Sequence, residues 1–233
     1  MEKIYLGEEF IESALSSVET KKTISSTTVG RYLMRAAMSG AIVVSVYVVY
    51  IAIMYNFTSH DAPALGKFIG ASLFPLAIIA IYYSKSELLT SNMMILTVGK
   101  YFKKINTKTY FKIMFLCLIG NILGGVVLGF IFAASSVFTP GMEEILTNMV
   151  TMKQAYIVDG HYIDLLMRAI LCNFFINVSM LIVYSGNAKS DVAKMIAMYL
   201  GVFAFVYLGL EHSVANSVLF AMTFWYDLIH GTS

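Results

Sequence analysis

The chain has 233 residues, of which 58% are hydrophobic and only 13% are charged, with a formal net charge of +2. Soluble domains carry about 25% charged residues, so this composition excludes an ordinary soluble protein and gives no indication of a nucleic-acid partner. The alternating ten-residue pattern of an outer-membrane barrel is absent. The sequence therefore predicts an all-α polytopic membrane protein.

The first 30 residues are polar and differ from the rest of the chain. Phe10, Ala14 and Val18 recur at helical spacing with glutamates between them, which predicts a short amphipathic helix against the protein or the membrane surface. We therefore divide the chain into a cytoplasmic N-terminal amphipathic segment, residues 1–30, and a transmembrane domain, residues 31–233.

Five long apolar stretches follow this segment. Their approximate bounds are residues 32–55, 66–99, 111–137, 163–184 and 192–224. A helix needs about 20 residues to cross a bilayer, so the second and fifth stretches are too long for simple spans. We predict that each is broken within the membrane and continues as a half-helix.

Polar residues interrupt these same two stretches at matching positions. Glu87 and Asn92 lie five residues apart in the second stretch, and Glu211 and Asn216 have the same spacing in the fifth, where His212 follows the glutamate. A charged side chain at bilayer depth costs about 2.5–3.5 kcal/mol on insertion scales, so these residues must face protein or water. Paired interruptions of this kind indicate a transport site; the alternative is that each cluster only ties neighbouring helices together.

Lysine and arginine predict the orientation of the chain, because they concentrate in cytoplasmic loops. The basic residues that precede the first, third and fifth stretches are Lys21, Lys22, Arg31, Arg35, Lys100, Lys103, Lys104, Lys108, Lys112, Lys189 and Lys194. We expect the N-terminus to be cytoplasmic. Five spans would leave the C-terminus outside, and we expect the chain to be incomplete there.

The third stretch contains glycines at the spacing of a helix-packing motif. Gly120 and Gly124 form one pair and Gly125 and Gly129 a second, and such small-residue pairs let another helix approach closely. We interpret them as packing residues.

The chemistry of the two interruptions favours an anion over a metal ion. Thr90 offers a hydroxyl, and His212 can donate a hydrogen bond or hold a proton. Half-helix N-termini directed at the membrane centre suit a negative ligand, and the backbone N–H groups there could also engage Glu87 and Glu211, which we assign to structure together with Asn92 and Asn216. Neither interruption has the carboxylate cluster of a divalent-cation site, and we predict no metal and no cofactor.

Four motifs together resemble the formate/nitrite transporter family. They are Glu87-Leu88-Leu89-Thr90-Ser91-Asn92, Gly120-Asn121-Ile122-Leu123-Gly124, Cys172-Asn173-Phe174-Phe175 and Gly209-Leu210-Glu211-His212-Ser213-Val214-Ala215-Asn216. The resemblance implies an aquaporin-like fold of two inverted three-helix repeats, with a sixth helix that this sequence lacks. It also implies a homopentamer in the cytoplasmic membrane, one pore in each protomer, and small monovalent anions such as formate, nitrite, lactate or hydrosulfide as substrates.

The resemblance also assigns roles to individual residues. Thr90 and His212 would face each other across the pore, Lys153 would attract anions at the mouth, and Asn173 would lie on the pore side. Two apolar constrictions would be formed by Phe74, Ile78, Leu89, Ile176 and Phe205. Departures from the family pattern are Lys85 and Ser91, which replace small residues, and Leu89, which stands where many members have phenylalanine.

These observations predict a pH-dependent, proton-coupled channel or transporter for a small weak-acid anion, with formate as the family's default. Two functional alternatives remain open, besides a purely structural membrane subunit. One is a neutral-solute channel of the aquaporin type, although the aquaporin Asn-Pro-Ala pair is absent. The other is a membrane enzyme using Glu211 and His212 as acid and base; no second catalytic cluster supports it, and we predict that the chain is not an enzyme.

Overall fold

The computed structural model describes residues 7–231, and the regular elements in that range are all α-helices. They are α1 (Glu8–Thr27), α2 (Val29–Thr58), α3 (Pro63–Leu73), α4 (Leu76–Tyr83), α5 (Leu89–Tyr101), α6 (Thr107–Ala133), α7 (Pro140–Val158), α8 (Tyr162–Tyr184), α9 (Asp191–Tyr207) and α10 (Ser213–His230). The all-α prediction is confirmed.

Within residues 7–231, four segments are long and apolar enough to cross a membrane: α2, α3 together with α4, α6 and α8. Helices α2, α6 and α8 match the first, third and fourth predicted spans in order. Pro75 lies between α3 and α4 and carries no backbone N–H to continue the helical hydrogen bonding, which accounts for the division of this span into two helices.

The second and fifth predicted spans are interrupted within the apolar stretch, as expected. The second is divided between α4 and α5 by residues 84–88, and the fifth between α9 and α10 by residues 208–212. Each interruption therefore leaves one half-helix ending and another beginning inside the fold.

The glycines of α6 lie where neighbouring helices come closest. A Cβ added to Gly124 would lie 1.8 Å from the carbonyl oxygen of Ala37 in α2, and one added to Gly125 would lie 2.3 Å from Val218 in α10. Gly120 likewise meets α2. Helix α6 thus packs between α2 and α10, which explains the glycine spacing.

Two helices outside the predicted spans flank this bundle. Helix α1 buries Ala14 and Val18, and the Val18 side chain packs against Gly99 of α5; residues 1–6 of the predicted segment lie outside the described part. Helix α7 was not predicted from the sequence. It begins with Pro140 in its first turn and buries Met142 within the core.

Candidate functional site

The two helix breaks end the preceding helix with the same backbone geometry. Lys85 follows α4 with φ 54°, and Gly209 follows α9 with φ 68°. In each case the N–H of this residue and the N–H of the next donate to carbonyls of the last helical turn, at 3.0–3.1 Å for the first break and 2.9–3.0 Å for the second. This left-handed ending is the usual way to satisfy carbonyl groups at a helix C-terminus.

At each break, an arginine from a neighbouring helix donates a hydrogen bond to the carbonyl of the left-handed residue. Arg35 of α2 donates from Nε to the Lys85 carbonyl at 2.8 Å. Arg168 of α8 donates from Nη1 to the Gly209 carbonyl at 3.3 Å. Both arginines lie in the second turn of their helix, so the two breaks are fixed in similar ways.

Glu87 of the first break is buried in a network of cationic and amide groups. Lys21 of α1 forms an ion pair with its Oε2, and Arg35 Nη2 lies 3.2 Å from its Oε1. Asn121 of α6 donates to the Glu87 carbonyl at 2.7 Å and accepts from the backbone N–H of Leu89 at 3.0 Å. A buried carboxylate needs such partners to offset its lost hydration, so Glu87 links α1, α2 and the break.

Glu211 of the second break is held in the same manner. Lys153 of α7 donates to its Oε2 at 2.8 Å, and Asn216 of α10 donates to the same oxygen at 2.5 Å. Glu211 is 5% exposed and the Lys153 side chain 15%. Glu87 is thus paired with a lysine of α1, the helix before α2, and Glu211 is paired with a lysine of α7, the helix before α8.

Thr90 and His212 meet between the two breaks. The Thr90 Oγ1 lies 3.2 Å from His212 Nε2, and both residues are buried, at 1% and 6% exposure. Thr90 lies in the first turn of α5, and His212 is the N-terminal cap of α10. The ring of Phe205 stacks on the imidazole at a centroid distance of 5.7 Å.

The cap hydrogen bond determines which nitrogen of His212 carries the proton. The backbone N–H of Ala215 donates to His212 Nδ1 at 3.1 Å, so Nδ1 must be the acceptor nitrogen. In the neutral ring, Nε2 then carries the hydrogen and donates it to the Thr90 oxygen. The Thr90 hydroxyl hydrogen therefore remains free to donate to a ligand.

An apolar passage of about 30 Å³ adjoins His212. Its lining residues are Val43, Phe74, Ala77, Ile78, Ile81, Leu88, Ile176, Val202, Phe205, His212 and Ala215. The passage holds little more than one water-sized sphere, so an occupant would have to shed its hydration shell.

A wider cavity opens on either side of this passage, and cations predominate in both. The α1-side vestibule has a volume of about 510 Å³, and the α7-side vestibule about 400 Å³. The charged residues lining the α1-side vestibule are Lys21, Arg35, Lys85, Lys194, Glu87 and Asp191. Those lining the α7-side vestibule are Lys67, Lys153, Arg168 and Glu211. Both vestibules therefore attract anions.

The structure gathers several of the residues singled out from the sequence around this passage, while Thr90 contacts His212 but is absent from the linings of the passage and of both vestibules. Phe74, Ile78, Ile176 and Phe205 line it, and Lys153 lines the α7-side vestibule. Leu89 is buried but is absent from the lining of the passage, which includes Leu88 instead.

Asn173 lies apart from the passage and from both vestibules. Its Nδ2 donates to the Ala169 carbonyl of its own helix at 3.0 Å, and it is absent from the linings of the three cavities. Its pore-side role stays a prediction.

Sequence reasoning missed three residues that hold the first break. Lys21 and Arg35 were used only to orient the chain, and Asn121 only as part of a glycine motif. Asn121 carried a signal nonetheless, because an amide inside an otherwise apolar span needs a buried partner. The described residues contain no group of three or more His, Cys, Asp or Glu side chains that could hold a metal ion.

Comparisons with known proteins agree with this fold. The model of a family described as "Formate/nitrite transporter" matches residues 8–231. A solved "FNT family ion channel" superposes with a TM-score of 0.77 at 20% identity, covering 93% of this chain and 83% of that one. The likeness to this structure concerns the fold.

Curated relatives carry the names of transporters and channels. The "Formate channel BtFdhC" of Bacillus thuringiensis is 24% identical over 209 residues, 87% of this chain and 78% of that protein. The "Uncharacterized transporter YwcJ" of Bacillus subtilis is 29% identical over 154 residues, 66% of this chain and 58% of that protein. The "Formate-nitrite transporter" of Plasmodium falciparum is 26% identical over 164 residues, 66% of this chain and 50% of that protein. Alignments with several of these relatives thus span about half of their length, and their names agree with the prediction that this chain is not an enzyme.

Proposed function

We propose, since the chain belongs to the formate/nitrite transporter family, that this multi-pass membrane protein conducts a small monovalent weak-acid anion, with formate as the first candidate. The observation that carries this proposal is the buried contact of Thr90 with His212 between two cationic vestibules. His212 donates to the Thr90 oxygen at this contact, and the Thr90 hydroxyl hydrogen is left to donate to a ligand with a carboxylate-like acceptor.

The vestibules would concentrate the anion at either mouth. Lys153 is held beside the passage by its bond to Glu211, and Lys21 is held on the opposite side by its ion pair with Glu87. Each of these lysines is paired with a glutamate, so the net positive charge of each vestibule comes from the further lysine and arginine side chains in its lining.

The apolar passage sets the barrier between the vestibules. A bare ion pays several kcal/mol to enter a low-dielectric region even after relaxation, whereas the neutral acid pays much less. We infer that the anion is protonated when it crosses, so that transport is coupled to protons and faster at acidic pH.

The geometry of His212 favours water as the source of this proton. A proton on Nδ1 would replace an acceptor by a donor opposite the Ala215 N–H and would break the cap of α10. His212 would therefore remain neutral and act as a hydrogen-bond donor through Nε2, with the proton arriving from the water of the vestibule.

Substitution of His212 tests this role. His212→Asn keeps a side-chain oxygen able to cap α10 but has no group that titrates near neutral pH. We expect formate uptake into liposomes to slow, because the donor to Thr90 is lost, while the increase toward acidic pH persists. His212→Phe removes both the cap and the donor and should slow uptake further.

Two outcomes would contradict the role of His212. Unchanged flux in both variants would remove the imidazole from the mechanism. A flat pH profile in His212→Asn, against a steep one in the unmodified protein, would make the imidazole itself the proton donor.

We further propose a homopentamer in the cytoplasmic membrane with α1 on the cytoplasmic side. The excess of lysine and arginine before the first, third and fifth predicted spans supports this orientation. Exposed apolar side chains on α8, among them Leu166, Ile170 and Phe174, support contact with lipid or with neighbouring copies.

A further inference from the structure

We propose that Lys85 is an anion-capturing residue of the α1-side mouth, whose uncompensated charge lowers the KM for the anion offered from that side. The inference rests on the proposed function and deepens it. It assigns a transport role to a residue whose backbone conformation is unfavourable for any side chain.

The backbone at position 85 favours glycine. Lys85 has φ 54°, a left-handed conformation in which a Cβ atom is strained. The residue in the same place at the second break is Gly209, with φ 68°, the same pattern of backbone hydrogen bonds and the same arginine contact to its carbonyl. The fold therefore accepts glycine at this turn, and the lysine at the first break needs another explanation.

The Lys85 side chain has no partner that would explain its presence. The hydrogen bonds of Lys85 in the described part of the chain involve only its backbone N–H and carbonyl, and no ion pair there includes its ammonium group. It is exposed and lines the α1-side vestibule. Lys103 also has a left-handed backbone, so the conformation alone does not mark a functional position; Lys85 differs from it in lining the vestibule.

The charges around Lys85 show what it adds. Lys21 and Arg35 are both bound to Glu87, and Lys194 lies 3.8 Å from Asp191. Lys85 is thus the vestibule cation that no carboxylate neutralises among the described residues. An unpaired charge in a partly enclosed mouth raises the local concentration of anions without forming a tight site.

This arrangement predicts a rise in KM on one side of the membrane only. Removing the charge slows entry and exit at the α1-side mouth alike, so the KM for formate offered from that side should rise by about two- to fivefold at low ionic strength, with an unchanged maximal rate. For formate offered from the α7 side the KM should not rise and the maximal rate should fall, because the ratio of maximal rate to KM must change equally in the two directions. Added salt should abolish the difference, because it screens an exposed charge.

The test uses right-side-out and inside-out membrane vesicles containing the full chain. Lys85→Gly should raise the formate KM in one vesicle orientation only, and it should also raise the melting temperature by about 1–4 °C because the backbone strain is relieved. Lys85→Gln should raise the KM in the same way without the gain in stability. Lys85→Arg keeps the positive charge and should have the same KM as the unmodified protein.

Lys103→Gly is the matched control. Lys103 is an exposed lysine with φ 58° in the turn between α5 and α6, outside the vestibule lining. We expect a similar gain in melting temperature and an unchanged KM in both orientations.

The possible results separate this inference from the proposed function. Formate uptake by the unmodified protein with an unchanged KM in Lys85→Gly and Lys85→Gln would overturn the role of Lys85 alone. An equal KM change in both orientations would also overturn it. An absence of formate uptake by the unmodified protein would instead contradict the proposed function.

Discussion

At the scale of single residues, the Thr90 hydroxyl is the group most directly tied to the proposed transport. It accepts from His212 Nε2, and its own hydrogen is free for a ligand. Thr90→Val keeps the shape of the side chain and removes this donor. A hydrogen bond of this kind contributes about 0.5–1.5 kcal/mol, so formate uptake should fall about two- to tenfold.

Thr90→Ser is the control for this substitution. It keeps the hydroxyl and should retain most of the uptake, measured in the same liposome assay at matched protein content. Equal rates for Thr90→Val and the unmodified protein would show that the hydroxyl makes no contact that matters for transport.

The sequence predicted some of these residue contacts and missed others for a physical reason. Thr90 and His212 stood out because polar groups deep in apolar stretches must find partners. The pairing of Lys21 with Glu87 did not, because α1 could have lain on the membrane surface and only packing against α5 brings the two side chains together. The sequence placed Leu89 at the passage, but Leu88 lines it. Which of the two lines the passage depends on the residue at which α5 begins.

At the scale of elements, the contact between α2 and α6 is set by Gly124. A Cβ there would lie 1.8 Å from the Ala37 carbonyl oxygen, and a backbone atom cannot move without displacing its helix. We expect Gly124→Ala to destabilise the protein by about 1–3 kcal/mol, the usual penalty for overpacking. Thermal unfolding in detergent measures this change.

Gly129→Ala in the same helix is the matched comparison. Its added Cβ would lie 3.3 Å from Cγ of the flexible Met222 side chain, which can shift. Alanine also favours the helix over glycine by about 1 kcal/mol, so this variant should be as stable as the unmodified protein or slightly more so. Equal melting temperatures for the two variants would contradict the packing account of α6.

The sequence predicted those helices that are determined by a long run of apolar residues. The spans corresponding to α2, α6 and α8 and the two interrupted stretches follow from hydrophobic runs and their polar interruptions. Helix α7 was missed because it is amphipathic, with Glu143 and Glu144 in its first turns, and its stability comes from burying residues such as Leu146 against other helices. Hydropathy carries no signal for such an element.

At the scale of the whole molecule, the two ends of the passage are built alike. Each break pairs a glutamate with a lysine from an outlying helix and fixes a left-handed residue with an arginine. These repeated contacts support the predicted inverted repeat. They also account for two cationic vestibules that face opposite ways, as a two-sided anion pathway requires.

The rate of formate entry into liposomes containing the purified protein, at acidic and at neutral external pH, tests the whole account. We predict saturable uptake that clearly exceeds the rate of protein-free liposomes, increases as the pH falls because more of the substrate can cross as neutral acid, and is slowed by Thr90→Val. Two results would contradict the crossing of the neutral acid between Thr90 and His212. One is uptake no faster than in protein-free liposomes, and the other is saturable uptake that changes neither with pH nor in Thr90→Val.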